Sequence, residues 1–127
     1  MIRIIVLTLL VAGCAAKTST KLVSRDQQLF PRHAEPVCFL KSPLASDVSY
    51  TRVAEIRGGK KTYGSVQEIF PLMAEEARSL GADAVINLEA GQKTGAWAWA
   101  RPVGKGVAVK LASRGDLDCV GRGGEWR

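Results

Sequence analysis

Hydrophobic residues follow a helical period between residues 65 and 80 and a strand-like pattern on either side. Apolar residues in the helical stretch are spaced three or four positions apart, at Val66, Ile69, Met73, Ala77 and Leu80. This spacing predicts a helix with one buried face. Gly81 favours the left-handed turn that commonly ends a helix, and the apolar run at 84–88 predicts a short buried strand.

The start of this helix has two interpretations. Ser65 and Glu68 fit a capping box, in which each side chain accepts a hydrogen bond from the backbone of the other residue. Pro71 lacks an amide hydrogen and removes one backbone hydrogen bond from a helix interior. Either the helix kinks at Pro71, or residues 65–70 form a separate turn and Pro71 opens the main helix.

Strand-forming residues flank this unit. Residues 37–40 and 50–57 are both predicted strands, the second rich in residues that favour β-structure. Residues 96–101 alternate strictly, so a strand there would place Trp97, Trp99 and Arg101 on one face. Residues 107–111 alternate again, and the last two segments are expected to form a hairpin around residues 102–106.

The first 14 residues carry the most specific signal in the chain. Arg3 precedes an apolar run at 4–12, which is shorter than the roughly 20 residues of a transmembrane helix and suits the core of a secretion signal. The run ends in Leu10-Val11-Ala12-Gly13-Cys14, which resembles the lipobox of bacterial lipoproteins. The alternative is an ordinary signal peptide cut near residues 15–16.

The lipobox resemblance implies a lipoprotein signal peptide over residues 1–13 and a lipid, with acyl chains such as palmitate, on Cys14. Ala15 follows the cysteine where an aspartate would imply retention at the inner membrane, so the resemblance implies the outer membrane, facing the periplasm. Several acyl chains make such an anchor effectively permanent.

Residues 15–36 show no periodicity, which predicts a flexible tether that extends, with Cys14, over 14–36. The predicted folded domain follows at 37–112, and a polar tail with Cys119 as its one fixed point covers 113–127. Fully extended, residues 15–36 would span about 70 Å, enough for the domain to stand away from the membrane.

Length and charge narrow the picture further. The 127 residues suffice for one domain with a modest core. The chain has 18 Lys and Arg against 12 Asp and Glu, a formal charge of +6, which favours anionic lipid head groups or phosphorylated polymers as partners. The cations are scattered, with Lys60-Lys61 the only adjacent pair, and this is typical of a solvated surface. Nucleic acid is not expected, because no basic run with aromatic residues is present.

The three cysteines divide naturally if Cys14 is lipidated. Cys38 and Cys119 then remain as a pair in an oxidising compartment, which predicts a disulfide between them. Two free thiols and a metal site are the alternatives. The metal site is disfavoured because the sequence has no C-x-x-C motif and His33 is its only histidine.

Catalytic chemistry has little support in the sequence. His33 could serve as a general base, but it lies in a proline-flanked segment where a solvated loop histidine is the simpler interpretation. No G-x-S-x-G elbow or P-loop is present. The sequence therefore predicts no enzyme, no cofactor and no metal. Trp97, Trp99 and Arg101 form a candidate partner-binding face, unless the indoles merely cover the sheet.

Three segments carry a family resemblance: residues 50–56, Leu80-Gly81-Ala82-Asp83-Ala84-Val85-Ile86, and GKGVAVKL at 104–111. Together they resemble YbjQ-like domains and, more loosely, the signalling domain of RcsF-type lipoproteins, over residues 37–112. The resemblance implies an α+β domain with one main helix packed on a three- to five-stranded sheet.

The lipobox, the predicted tether and the absence of a catalytic constellation predict a non-catalytic, lipid-anchored cell-envelope protein that binds another envelope component, with a protein as partner. The resemblance to RcsF-type proteins implies a role as a sensor. One alternative is that its basic surface binds anionic cell-wall or lipopolysaccharide polymers. The other, less favoured, is an enzyme or a metal-binding domain.

Overall fold

The computed structural model describes residues 16–22, 30–96 and 98–127, which form one α-helix and a six-stranded mixed sheet. The predicted α+β class is confirmed, and the sheet has one strand more than the maximum expected. The elements are β1 (Lys17–Leu22), β2 (Cys38–Phe39), β3 (Tyr50–Gly59), α1 (Phe70–Ser79), β4 (Ala84–Lys93), β5 (Arg101–Leu111) and β6 (Glu125–Trp126).

The strand order is β1-β3-β5-β4-β2-β6. Strands β1, β3, β5 and β4 are successively antiparallel, β2 runs parallel to β4, and β6 is antiparallel to β2. Among the described residues, no helix has the length and apolar composition needed to cross a bilayer.

The helix start follows the second of the two interpretations. A 3₁₀ turn at Val66–Glu68 is closed by the predicted capping box, in which the Ser65 hydroxyl accepts from the Gln67 amide. The α1 helix then begins at Phe70, with Pro71 in its first turn, where no amide hydrogen is needed. Gly81 ends the unit with a φ of 73°, as predicted.

The two faces of the sheet are covered differently. The helix packs over one face and forms the larger core there, centred on Ile56, Ile69, Met73, Val85 and Ala108. The second core lies on the opposite face, where the segment after β2 and the C-terminal segment cover Ala84, Ile86, Val109 and Leu111.

The predicted tether is wrong for the residues that the structure describes. Lys17–Leu22 form β1, paired along its whole length with β3, and the Thr20 hydroxyl donates to Glu76 on α1 over 2.6 Å. Residues 30–36 also contact the domain, since the His33 amide donates to the Arg78 carbonyl. The predicted signal peptide and Cys14 lie outside the described residues, as do residues 23–29.

The predicted C-terminal tail is also wrong, because residues 113–127 fold onto the sheet. A 3₁₀ turn forms at Arg114–Asp116, and β6 adds a strand beside β2. Val37 and Arg127 exchange backbone hydrogen bonds of 2.7 and 2.9 Å. The predicted disulfide between Cys38 and Cys119 is present, with Cα atoms 5.9 Å apart, and it attaches this segment to β2.

The predicted hairpin around residues 102–106 is replaced by a longer one. Strand β4 extends to Lys93, and β5 runs without a break from Arg101 to Leu111, paired with β3 on one side and β4 on the other. Residues 98–100 belong to the connecting loop and not to a strand. Strand β5 therefore lies inside the sheet, and its residues Ala108, Val109 and Leu111 are buried.

Candidate functional site

Half of the sheet face opposite α1 is exposed, and it carries a concentration of cations. The second core covers only the end of this face near the disulfide. The exposed end is formed by alternate residues of β1, β3, β5 and β4. We call this surface the basic sheet face and define it by its charged residues: Lys17, Lys21, Glu55, Arg57, Glu89, Lys93, Arg101 and Lys105.

Two glycines show to which side of the sheet the neighbouring charged side chains point. A Cβ atom at Gly58 would overlap the Ile69 side chain, and one at Gly104 would lie 3.2 Å from the Met73 sulfur. Positions 58 and 104 therefore face α1. Their neighbours Arg57 and Lys105 consequently point to the other side of the sheet, since successive residues of a strand alternate.

The register brings the charged residues into rows across the sheet. Arg57 lies opposite Ser19 on one side and Lys105 on the other, and Lys105 lies opposite Glu89. Lys93 and Arg101 form the last pair of β4 and β5. The basic sheet face has six cations against two carboxylates, a surplus of four, so it holds much of the +6 formal charge of the chain.

A β-bulge in β4 places Glu89 on the basic sheet face, opposite Lys105. The register between β4 and β5 shifts between Ile86 and Glu89, where Asn87 takes a φ of 53°. Because of the extra residue, Ile86 and Glu89 are three positions apart on β4, yet their side chains lie on the same face of the sheet. Ile86 is buried there and Glu89 is exposed. The bulge thus marks the boundary between the covered and the exposed halves.

A shallow groove of about 450 Å³ crosses the basic sheet face. Four glycines contribute to its lining, and four cations stand around them: Arg57, Lys93, Arg101 and Lys105. A Cβ atom at Gly91 would meet nothing within 4 Å, so the space above this position is open. The groove offers exposed backbone surrounded by positive charge, which suits an extended anionic ligand.

The carboxylates neutralise only part of this charge. Arg57 donates from Nε to Glu55 over 2.8 Å, and Lys105 Nζ lies 3.6 Å from the Glu89 carboxylate. The hydrogen bond and charge of Arg57, together with the charges of Lys105 and Lys21, lower the pKa of Glu55. Within residues 16–22, 30–96 and 98–127, no ion pair is formed by Lys17, Lys93 or Arg101.

A second charged cluster surrounds Asp83, whose side chain is 1% exposed. Its carboxylate accepts from the Leu111 amide over 3.0 Å and from Arg114 over 2.9 Å, and Lys110 Nζ lies 3.2 Å away. These contacts tie the turn after α1 to β5 and to the C-terminal segment. Because the carboxylate is buried and fully engaged, the cluster serves the fold.

His33 belongs to the edge of that cluster. Its Nε2 donates to the Ala82 carbonyl over 2.6 Å, and its Nδ1 accepts from the Glu35 amide over 3.1 Å. The side chain is 18% exposed, so the interpretation as a solvated loop histidine is wrong. Both ring nitrogens therefore form hydrogen bonds with backbone groups of the fold.

The structure describes two of the three residues of the predicted aromatic face. Trp99 is 79% exposed on the loop between β4 and β5, and Arg101 lines the groove. Trp99 and Arg101 do not share a strand face, because β5 begins at Arg101 and Trp99 lies in the loop, where its carbonyl accepts from the Thr94 hydroxyl. Trp97 lies outside the described residues.

Sequence reasoning missed the cations of the basic sheet face other than Arg101. The local signal is an even spacing of charged residues, four positions between Lys17 and Lys21 and two between Glu55 and Arg57, which places each pair on one face of a strand. Only the register between strands places these short alternations next to each other. Metal chemistry has no candidate among the described residues, where no three histidine, cysteine or carboxylate side chains are grouped to hold an ion.

No model of a known protein family matches this chain, and neither a curated protein nor a solved structure matches it. The resemblance to YbjQ-like and RcsF-type domains therefore stays a prediction from three segments, 50–56, 80–86 and 104–111.

Proposed function

We propose that this protein is a non-catalytic, lipid-anchored cell-envelope protein that binds another envelope component through the basic sheet face. The observation that carries the proposal is the exposed pair of Arg57 and Lys105, which lie directly opposite each other on β3 and β5. Like charges in this position oppose sheet formation. The carboxylates of Glu55 and Glu89 offset these two charges, and the four surplus cations of the face are available to an anionic ligand.

The anchor and the location rest on the lipobox at Leu10–Cys14. The disulfide between Cys38 and Cys119 supports an oxidising compartment such as the periplasm. An RcsF-like sensing role is proposed by resemblance only. Nucleic acid is not proposed as the ligand, because export separates the protein from it.

The groove favours an extended, anionic component. Arginine and lysine bind phosphate and carboxylate groups, and the glycines allow a polymer to approach the backbone closely. This favours an anionic cell-wall or lipopolysaccharide polymer, or an acidic segment of an envelope protein. The common requirement is a row of negative charges.

Crosslinking in cells followed by co-purification tests the proposal. Three proteins are compared: the wild type, the double variant Arg57→Gln/Lys105→Gln, and the control Lys41→Gln. Lys41 is exposed and follows β2, near the opposite edge of the sheet, so its loss removes a cation without changing the basic sheet face. We expect the double variant to lose envelope adducts that the control retains. Identical adducts in all three proteins would refute the proposal.

Trp99 supports a second candidate, a protein partner that contacts the loop between β4 and β5. The Trp99 side chain is 79% exposed, and tryptophan is enriched among the residues that contribute most to binding at protein interfaces. The variant Trp97→Ala/Trp99→Ala tests this candidate in the same crosslinking experiment. Loss of a protein adduct from this variant, with retention in Arg57→Gln/Lys105→Gln, would favour it over the basic sheet face.

A further inference from the structure

We infer that the basic sheet face docks on the bilayer that holds the lipid anchor, with anionic phospholipid head groups as its ligand. The inference rests on the proposed lipidation of Cys14 and names the partner of the proposed binding surface. Three observations carry it: the distance along the chain from Cys14 to β1, the charge of the face, and the charge of the opposite side.

The chain between the proposed anchor and the sheet is short. Lys17 is the third residue after Cys14 and is the first residue of β1. Three residues span at most about 10 Å, even when fully extended. All six residues of β1 pair with β3, so this edge of the domain must stay close to the head groups.

The basic sheet face includes that edge. Lys17 and Lys21 lie opposite Gly59 and Glu55 in the register and share the face with Arg57. The Thr20 hydroxyl donates to Glu76 on α1, so the Thr20 side chain lies on the helix side. Its neighbour Lys21 therefore points to the opposite side of the sheet. The strand nearest the membrane therefore contributes its lysines to the face that carries the surplus of cations.

The opposite side of the domain has a different charge. Three carboxylates lie on the helix side, and their side chains meet basic or hydroxyl partners: Glu68 with Lys60, Glu75 with Arg32 and Arg78, and Glu76 with Thr20. An anionic bilayer would attract the basic sheet face, where cations outnumber carboxylates by four, whereas it would repel these three carboxylates of the helix side. The short connection to Cys14 allows the domain to turn its basic sheet face toward the bilayer.

The expected gain in membrane binding from these cations is large enough to orient the domain. Each lysine or arginine near an anionic membrane surface strengthens binding about fivefold, and the lipid already holds the domain at that surface. Trp99 lies on the loop beside the groove with 79% of its surface exposed, and tryptophan favours the interface between head groups and water.

Lysine-specific chemical labelling of the full-length, lipidated protein in vesicles, read by mass spectrometry, tests the inference. Vesicles of phosphatidylcholine with phosphatidylglycerol are compared with vesicles of phosphatidylcholine alone. We expect Lys17, Lys93 and Lys105 to be labelled several-fold more slowly in the anionic vesicles. The exposed Lys41 should react equally in both, and about 1 M salt should abolish the protection.

A matched pair of variants separates docking from a change in fold. In Lys93→Gln/Lys105→Gln, the labelling rate of Lys17 should rise in anionic vesicles towards its rate in zwitterionic ones. In Lys41→Gln it should remain low.

Three outcomes would overturn the inference. Equal labelling of all these lysines in both vesicles, in protein that floats with the lipid, would exclude docking and leave the proposed anchored binding protein standing. Protection in zwitterionic vesicles that appears only after lipopolysaccharide is added would assign the face to a polymer. If intact mass shows no lipid on Cys14 and the protein does not float, the proposed anchor fails, and the inference fails with it.

Discussion

Arg57 on β3 and Lys105 on β5 lie directly opposite each other, and each has one carboxylate beside it. Both cations are well exposed, with 64% and 50% of their side-chain surfaces accessible to solvent. Water and the neighbouring carboxylates make this arrangement tolerable for folding. The pair nevertheless forms the centre of a surface with four surplus positive charges, which is where an anion would bind.

Neutralising this pair should separate binding from stability. In Arg57→Gln/Lys105→Gln, the free energy of unfolding should change by less than about 1 kcal/mol, because exposed charge pairs contribute little. Binding to an anionic surface should fall by roughly 25-fold, from about fivefold for each cation. Urea denaturation and vesicle binding measure the two effects. A loss of several kcal/mol in stability would show that these cations serve the fold.

The pKa of Glu55 should depend on the cations that surround it on the basic sheet face. Its pKa in the folded protein lies below the ordinary value of 4.5, chiefly because of the hydrogen bond from Arg57. The contact therefore stabilises the fold above the unfolded-state pKa, and this contribution is lost as the pH falls through the folded-state pKa. In Arg57→Gln, the pKa of Glu55 measured by NMR should rise towards 4.5. Lys41→Gln is the control, and an equal rise there would contradict the assignment.

The disulfide should contribute strongly to stability. Cys38 and Cys119 are 81 residues apart, and the loop-closure model gives about 4–5 kcal/mol for a loop of this length. The variant Cys38→Ala/Cys119→Ala should lose a comparable free energy of unfolding in urea. A reductant should destabilise the wild type similarly and leave the variant unchanged. A wild type that is insensitive to the reductant would contradict the prediction.

Asp83→Asn should destabilise the fold without weakening binding. The substitution keeps the shape of the side chain but removes its charge, which leaves Arg114 and Lys110 without their buried partner. Because water reaches both cations, whose side chains are 31% and 32% exposed, the expected loss is that of a hydrogen bond to a charged group, about 1.5–3 kcal/mol. Asp47→Asn is the matched control, because Asp47 pairs with Arg122 while its side chain is 71% exposed. A similar loss in both variants would show that burial of Asp83 is not the cause.

The sequence predicted features that depend on neighbouring residues. The capping box at Ser65 and the stop at Gly81 involve residues at most four positions apart, and both are present. The apolar strand at 84–88 was predicted for the same reason, although β4 continues to Lys93 through polar residues. The polar extension gives no hydrophobic signal, because its outward face belongs to the exposed groove.

Features that depend on distant pairing were missed. Five of the six residues of β1 are exposed, so the strand shows no apolar alternation, and it is held by β3. Residues 125–126 become a strand because β2 lies beside them. The basic sheet face is the same kind of feature: its cations come from four strands and look scattered along the chain until the register aligns them.

The salt dependence of binding tests the central claim most directly. The full-length wild type and Arg57→Gln/Lys105→Gln are each bound to envelopes isolated from cells that lack the protein, over a series of NaCl concentrations. If the basic sheet face binds an anionic component, the wild-type affinity should fall steeply with salt, and the variant should bind more weakly with a shallower dependence. Salt-independent binding, or identical curves for the two proteins, would contradict the claim.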